Sequence, residues 1–273
     1  MSAAVLEFSG PARPLTDSDM RSVLQILGMD PVADLPLLWT VLAVESRGFG
    51  FLPDRRPKLL FERHIFHRET EGRFSTQAPK LSARTPGGYQ GGGAEYERLA
   101  QALALCRSAG LGVEPALRSA SWGLGQVMGF NAAVAGFEDA ADMAAQMAAG
   151  EGAQLAGMAN FMRSQGLERK LQARDWAGFA YGYNGRSYAV NQYHLKLRAA
   201  YEKFSSGVSR DLRARAVQGA LLFLGYRPGD PDGIAGQNTR TALLAFRADT
   251  SMGTSEVLDD EVFDAIMRKA KWA

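Results

Sequence analysis

The chain has 273 residues, enough for one large domain or for a mid-sized domain with a small one beside it. Apolar residues make up 46% and charged residues 22%, the balance of an ordinary soluble globular protein. A formal net charge of +2 gives no electrostatic case for nucleic acid, and no run of about eighteen apolar residues argues for stable membrane insertion.

Cys106 is the single cysteine, so no intramolecular disulfide can form. It lies in the helical run Leu99–Cys106 and reads as a small buried apolar residue. Met1–Gly10 holds no basic segment followed by an apolar core, so no secretory signal is expected and synthesis should be cytoplasmic.

Residues 1–14 read as an unstructured leader containing two prolines. Thr16 and Asp19 have capping-box spacing, and Met20, Val23, Leu24 and Leu27 continue as a helical stripe that Gly28 ends. A second helix runs over Leu37–Glu45. Leu38, Val41, Leu42 and Val44 give it an apolar stripe that Glu45 continues, and a glycine-broken aromatic turn, Gly48-Phe49-Gly50-Phe51, follows at once. A carboxylate among Trp, Val and Phe loses solvation when ionised, which raises its pKa toward general-acid use. The alternative is a Glu at a frayed helix end pointing to water.

Lys58–Phe66 fits a strand or a short buried helix, and periodicity does not choose between them. Thr70–Gly93 turns to Gly, Pro, Ser, Thr and Gln, the composition of a long loop of the kind that forms lids or binding segments. From Tyr96 onward the chain reads helical, and Met143, Met147, Met158 and Met162 read as gap-filling core. Ser205-Ser206-Gly207 marks a boundary, giving domains at 1–204 and 208–273. The second should be three short amphipathic helices, with Asn238 or Thr239 and Asp259 as caps. Its nine acidic and nine basic residues again exclude a basic nucleic-acid binder.

His64-x-x-His67 beside Glu62 and Glu69 lacks the zinc-hydrolase arrangement, so no metal and no other cofactor is expected. A structural role for His64 beside Glu62 fits better. No Gly-x-Ser-x-Gly elbow is present, and Cys106 has no basic neighbour on its helix face to make a thiolate. Two stretches can serve a sugar polymer. In Ser119–Asn131, small residues admit a chain to the backbone, and Gln126 and Asn131 can donate to hydroxyl or acetamido groups; the plainer reading is a tight turn into a helix. Phe179–Gly185 offers Tyr181 and Tyr183 for stacking and the amide of Asn184 at a turn.

The ordered set Glu45, Ser121-x-Gly123-Leu124-x-Gln126-x-Met128 and Ala180–Gly185 resembles goose-type lysozymes and soluble lytic transglycosylases. More closely, Val44-Glu45-Ser46-x-Gly48-x-Gly50-Phe51, Arg56–His64 and Ser121–Asn131 resemble the bacteriophage N-acetylmuramidase (endolysin) family over about residues 15–203. The tail resembles the three-helix peptidoglycan-binding domain, on Val217-Gln218, Leu224-Gly225-Tyr226, Asp232-Gly233-Ile234-x-Gly236-x-x-Thr239 and Ala245-Phe246.

The resemblance implies a mainly α (α+β) chain, with a lysozyme-like domain carrying a small β element and a C-terminal three-helix bundle. It implies peptidoglycan as the partner, with Glu45 as the acid and Ser121, Gly123, Gln126, Asn131, Tyr181, Tyr183 and Asn184 lining the cleft. Tyr226, Asp232, Gly233 and Thr239 would serve wall binding by a protein expected to be monomeric. It would act on the wall after release from the host cytoplasm. Glu62 is the candidate second carboxylate, against a plain salt bridge with Arg63 or Arg56. The implied reaction is hydrolysis of the β-1,4 bond after N-acetylmuramic acid; a transglycosylase, a non-reactive wall-binding protein and a zinc amidase or peptidase are the rivals. Two positions depart from the wider superfamily. Gly125 stands where Met is usual, which would widen the cleft floor, and Gly182 leaves Tyr181 or Tyr183 to take the motif tyrosine's place.

Overall fold

The computed structural model describes residues 8–46, 48–207 and 210–272. Thr16 caps α1 (Asp17–Ile26) with the expected box: the Asp19 amide donates to Thr16 Oγ1 at 3.2 Å and the Thr16 amide to the Asp19 carboxylate at 2.8 Å. Helix α2 (Leu35–Glu45) starts with Pro36 in its first turn, and every residue from Leu37 to Leu42 is buried. It is therefore apolar all round rather than along one stripe, and a helix of that kind must be enclosed.

The 58–66 stretch resolves into both of its readings, strand β1 (Leu59–Phe61) followed by α3 (Arg63–Glu69). Helices α4 (Ala94–Ser108) and α5 (Glu114–Arg118) follow, then β2 (Ala120–Trp122), β3 (Val127–Met128) and a 3-10 turn over Gly129–Asn131. The helices of the larger part end with α6 (Ala140–Ala149), α7 (Glu151–Ser164), α8 (Leu167–Gln172), α9 (Trp176–Asn184), a second 3-10 turn over Arg186–Ala189 and α10 (Tyr193–Ser205). The three C-terminal helices are α11 (Leu212–Phe223), α12 (Gln237–Asp249) and α13 (Asp260–Lys269).

Helix α10 packs along α2, and α1 packs on α7. The strands form one antiparallel sheet in the order β1-β2-β3, with Leu59 opposite Trp122, Phe61 opposite Ala120 and Ser121 opposite Met128. Ser119–Asn131 is thus a β-hairpin, not a turn entering a helix. Its strands have three and two residues, too short to carry a period-two signal.

One core spans α1 to α10 and contains all four stripe methionines, each at most 1% exposed. A second, around Val217, Leu221, Leu243, Phe246, Val262 and Ile266, belongs to the C-terminal bundle. Ala12, Phe49 and Phe51 meet Leu222 and Phe223 in a small cluster between the two. The leader expected over residues 1–14 is fixed from Phe8, whose ring lies 5.4 Å from that of Trp122, while Arg13 bridges to Gly150. Residues 1–7 of that expectation lie outside the described residues. Residues 70–93 contain no regular element, yet Phe74 and Leu81 are buried and Phe74 stacks on Phe66 at 5.6 Å.

The hairpin rests on α5 at Gly129, where an added Cβ would sit 2.2 Å from the Leu117 carbonyl oxygen. Backbone on both sides leaves no flexible group to yield. Gly129→Ala should therefore cost about 2 kcal/mol or more, a fall of roughly 5 °C in melting temperature by calorimetry.

Candidate active site

Helix α2 ends on Glu45, and Ser46 secures that end. The Ser46 hydroxyl donates back to the Leu42 carbonyl and accepts from the Gly48 amide at 3.1 Å. Asn184, the last residue of α9, donates from Nδ2 to Glu45 Oε1 at 3.0 Å. Burial pushes the Glu45 carboxyl up to about 7, against the opposing pull of the Asn184 hydrogen bond and the Lys196 charge. Its place in the last turn of α2, beside outward-facing carbonyls, acts in the same direction as burial. Glu45 is therefore not a frayed surface Glu.

Tyr183 stands next to Asn184, and its hydroxyl donates to the Gly125 carbonyl at 2.6 Å. Burial, with the Glu45 charge in support, holds the phenol well above its ordinary pKa. Tyr181 is 52% exposed and meets the edge of Tyr188, at 6.2 Å. Of the two tyrosines, Tyr183 is the one the structure brings beside Asn184 and the Gly125 turn. The intervening glycine has a packing reason, because a Cβ on Gly182 would lie 2.4 Å from Leu167 Cδ2.

The turn between β2 and β3 approaches the same end of α2. Gln126 adopts a left-handed φ of 50°, unusual for a residue with a side chain, and three hydrogen bonds hold it there. Ser121 Oγ donates to its Oε1 at 2.9 Å, and its Nε2 donates to the carbonyls of Gly123 at 2.8 Å and Lys58 at 3.3 Å. The amide expected to reach a sugar is spent on bracing the hairpin. Gly123, with φ 67°, turns the chain and donates to the Lys58 carbonyl at 2.8 Å. Asn131 sits beyond β3, half-buried in the 3-10 turn.

Glu62 is placed apart. It lies just past the end of β1, four residues from Lys58, roughly 13 Å along an extended strand. Tyr89 donates to its Oε2 at 2.8 Å, and His64 Nδ1 lies 3.1 Å from the same oxygen, an electrostatic contact outside hydrogen-bond alignment. Neither arginine expected as its partner takes that role: Arg63 donates to Thr85 and Pro86, and Arg56 to Asp54. The structure brings Asn184, Tyr183 and the Gly125 turn to Glu45 but leaves Glu62 outside that hydrogen-bonded set. Among the described residues no three His, Cys, Asp or Glu side chains gather as a metal ion requires. Cys106 is buried, and burial pushes its thiol up to about 11.

Helix α7 supplies residues absent from the expected set. Glu151, Gln154 and Met158 recur at three and four residues and share a face. Glu151 Oε1 accepts from the Gly50 amide at 2.9 Å. Gln154 Oε1 accepts from the Leu124 amide at 2.7 Å, and a Cβ on Gly50 would lie 1.9 Å from that oxygen. Met158 fills the space beside Gly125, where an added Cβ would come within 2.7 Å of its Cγ. Gly125 therefore does not widen the cleft floor, because a methionine from another helix occupies the room. Glu151 and Gln154, two polar residues within the stripe of Leu155, Met158 and Met162, were the available sequence signal.

In the C-terminal bundle, the Asp-Gly motif folds around Gln218. Its Nε2 contacts Asp232 Oδ1, the Ile234 carbonyl and Thr239 Oγ1 at 3.2, 3.0 and 3.0 Å, and its Oε1 accepts from the Gly233 amide at 2.9 Å. Tyr226 donates to Asp249 at 2.9 Å. Asp232, Gly233, Thr239 and Tyr226 thus make internal bonds. Asp232 and Thr239 also line a cavity of about 320 Å³ with Gln237 and Asn238.

A half-buried acid at the end of an enclosed helix, facing an amide, a tyrosine and a short hairpin, defines a lysozyme-like site in a mainly α fold. The family model described as N-acetylmuramidase matches residues 34–205. The structure titled "Crystal structure of Burkholderia AP3 phage endolysin" is 36% identical, with a TM-score of 0.63 over 71% of this chain and 73% of that one. No curated protein matches. The chain belongs to the phage N-acetylmuramidase (endolysin) family of peptidoglycan hydrolases.

Two outcomes follow from this geometry. With its pKa near 7, Glu45 binds a proton more tightly in the folded protein than in the unfolded chain, near 4.5. Its contribution to stability is present in full below about 4.5 and is lost as pH rises through about 7, a difference of about 3 kcal/mol. Denaturant unfolding of wild type and Glu45→Gln across pH 4–8 should show this fall in wild type alone. Gly125→Met should destabilise by roughly 1–3 kcal/mol, and adding Met158→Ala should restore much of that loss.

Proposed function

We propose that this protein is an endolysin that hydrolyses the β-1,4 bond between N-acetylmuramic acid and N-acetylglucosamine, with Glu45 as the general acid. The observation that carries the reading is the Glu45 carboxyl, raised to about 7 and bonded on one oxygen by Asn184. Asn184 occupies Oε1, so the proton sits on Oε2 and is delivered to the glycosidic oxygen as the bond breaks through an oxocarbenium-like transition state. After transfer, the Asn184 donor and the Lys196 charge stabilise the carboxylate that forms.

Glu62 is assigned the second carboxylate role, as the base that activates water in an inverting route or as the nucleophile in a retaining one. The C-terminal bundle is assigned to wall binding through the cavity beside Asp232 and Thr239, where the side chains of Gln237 and Asn238 supply the polar contacts. Cell lysis then requires release of the protein to the wall.

Glu45→Gln should lower the rate on purified peptidoglycan by on the order of 10²–10⁴, with chelators leaving wild type unaffected. Mass spectrometry of the digest should show reducing muramic ends. Anhydro-muramic ends would replace hydrolysis by transglycosylation, and cut peptides with intact glycans would sink the muramidase reading. Glu62→Gln should reduce turnover while leaving the Glu45 titration in place; undiminished hydrolysis by that variant would remove Glu62 from the mechanism.

A further inference from the structure

The turn that follows Glu45 is held from both modules. Arg215 of α11 is 2% exposed, and its guanidinium grips Glu151, itself 0% exposed, through both carboxylate oxygens, with Nη2 to Oε1 at 2.7 Å. The same Nη2 donates to the Gly48 carbonyl at 2.7 Å. Glu151 in turn accepts from the Gly50 amide at 2.9 Å and from the Leu15 amide at 3.3 Å. One buried ion pair therefore fixes the carbonyl of Gly48 and the amide of Gly50.

The surroundings are shaped for this approach. Gly48 has a φ of 84°, and a Cβ there would lie 3.2 Å from the Pro231 carbonyl oxygen of the bundle. A Cβ on Gly219 of α11 would lie 2.8 Å from the Phe49 ring. Arg55 donates to the Ala270 carbonyl at 2.6 Å and lies over the Phe223 ring at 4.5 Å, and Trp272 donates to the Pro11 carbonyl at 2.8 Å. The bundle is seated on the catalytic turn itself.

We propose that Arg215, supplied by the C-terminal bundle, is a positioning residue for Glu45, acting through the Gly48 carbonyl and the Glu151 carboxylate. The bundle then completes the active site as well as holding the wall. This rests on the assignment of Glu45 as the acid. The route is short: Gly48 donates to the Ser46 hydroxyl, which secures the end of α2 one residue from Glu45. A loosened turn would admit water beside the acid and displace it, and a displacement of about 1 Å can cost on the order of 100-fold in rate.

The groups acting on the Glu45 charge among the described residues are Lys196 on α10 and Tyr183 on α9, with the Asn184 amide. Arg210 and Asp232 of the bundle pair with each other at 3.4 Å near the end of α2. The Arg215 charge acts on Arg210, and Arg215→Lys keeps that charge, so a moved Glu45 titration in the lysine variant reports the turn.

The test uses the full chain as Arg215→Lys and as the doubly neutral Glu151→Gln/Arg215→Met, which leaves no buried charge unpaired. Each is assayed on a short soluble muramyl-containing glycan, where wall tethering does not contribute, and on insoluble sacculi, with melting curves alongside. The expected result is at least a tenfold loss of kcat on the soluble glycan with KM little changed. The alkaline limb of the rate profile should also move below its wild-type position near pH 7. Wild-type kcat and pH limb on the soluble glycan, with loss confined to sacculi, would overturn the proposal and leave the bundle a tether. Failure of both variants to fold would also overturn it, because the pair would then hold the fold rather than the acid. Glu45→Gln assayed in parallel separates either failure from failure of the acid assignment itself.

Discussion

A carboxyl group kept from water at the end of an enclosed helix is the constraint on which the rest of this site depends. Helix α2 is buried from Leu37 to Leu42, and its last turn, Ala43 to Glu45, emerges from the core half-buried. Ionising Glu45 there costs solvation that Asn184 and Lys196 only partly return. The same burial that destabilises the charged form keeps a proton available near neutral pH, so a local loss of stability and a chemical capability are one physical fact.

That arrangement needs a floor, and α7 provides it. Glu151, Gln154 and Met158 meet the Gly50 turn, the Leu124 amide and the Gly125 backbone in succession along one helix face. Glycines at 50, 123 and 125 allow contact distances that a Cβ would forbid. The hairpin and the post-helix turn are thereby set against a single rigid element, which is how a catalytic geometry is kept within small tolerances. Breaking the Glu151–Arg215 pair on one side alone would leave a buried charge uncompensated, at a cost of about 3–5 kcal/mol.

Much of this was legible in the sequence where local chemistry sets the outcome. The Thr16–Asp19 box, the end of the helix at Glu45, the methionine core and the three C-terminal helices follow from spacing and caps within a few residues, although α12 starts after Gly236 rather than at the expected cap Asn238 or Thr239. Asn184 could be named because its amide sits at a turn beside two tyrosines, in a stretch that resembles the family's motif. The β-hairpin could not be read, since strands of two and three residues have no period. The internal bonds of Gln126 were out of reach for a related reason: they depend on Lys58 and Gly123, which the fold brings to it. Met158 filling the space beside Gly125, and Arg215 reaching Gly48, are contacts between distant segments that no local pattern encodes.

The cleft and the bundle thus share one turn, with Glu45 at its start. What makes the account stand or fall is whether that carboxyl truly carries a proton near neutrality. Carbon-13 NMR of the Glu45 side-chain carboxyl, assigned by comparison with Glu45→Gln, measures this directly. The account predicts a titration midpoint at about 7. A midpoint at the ordinary value near 4.5 would show a solvated, ionised carboxylate and contradict it.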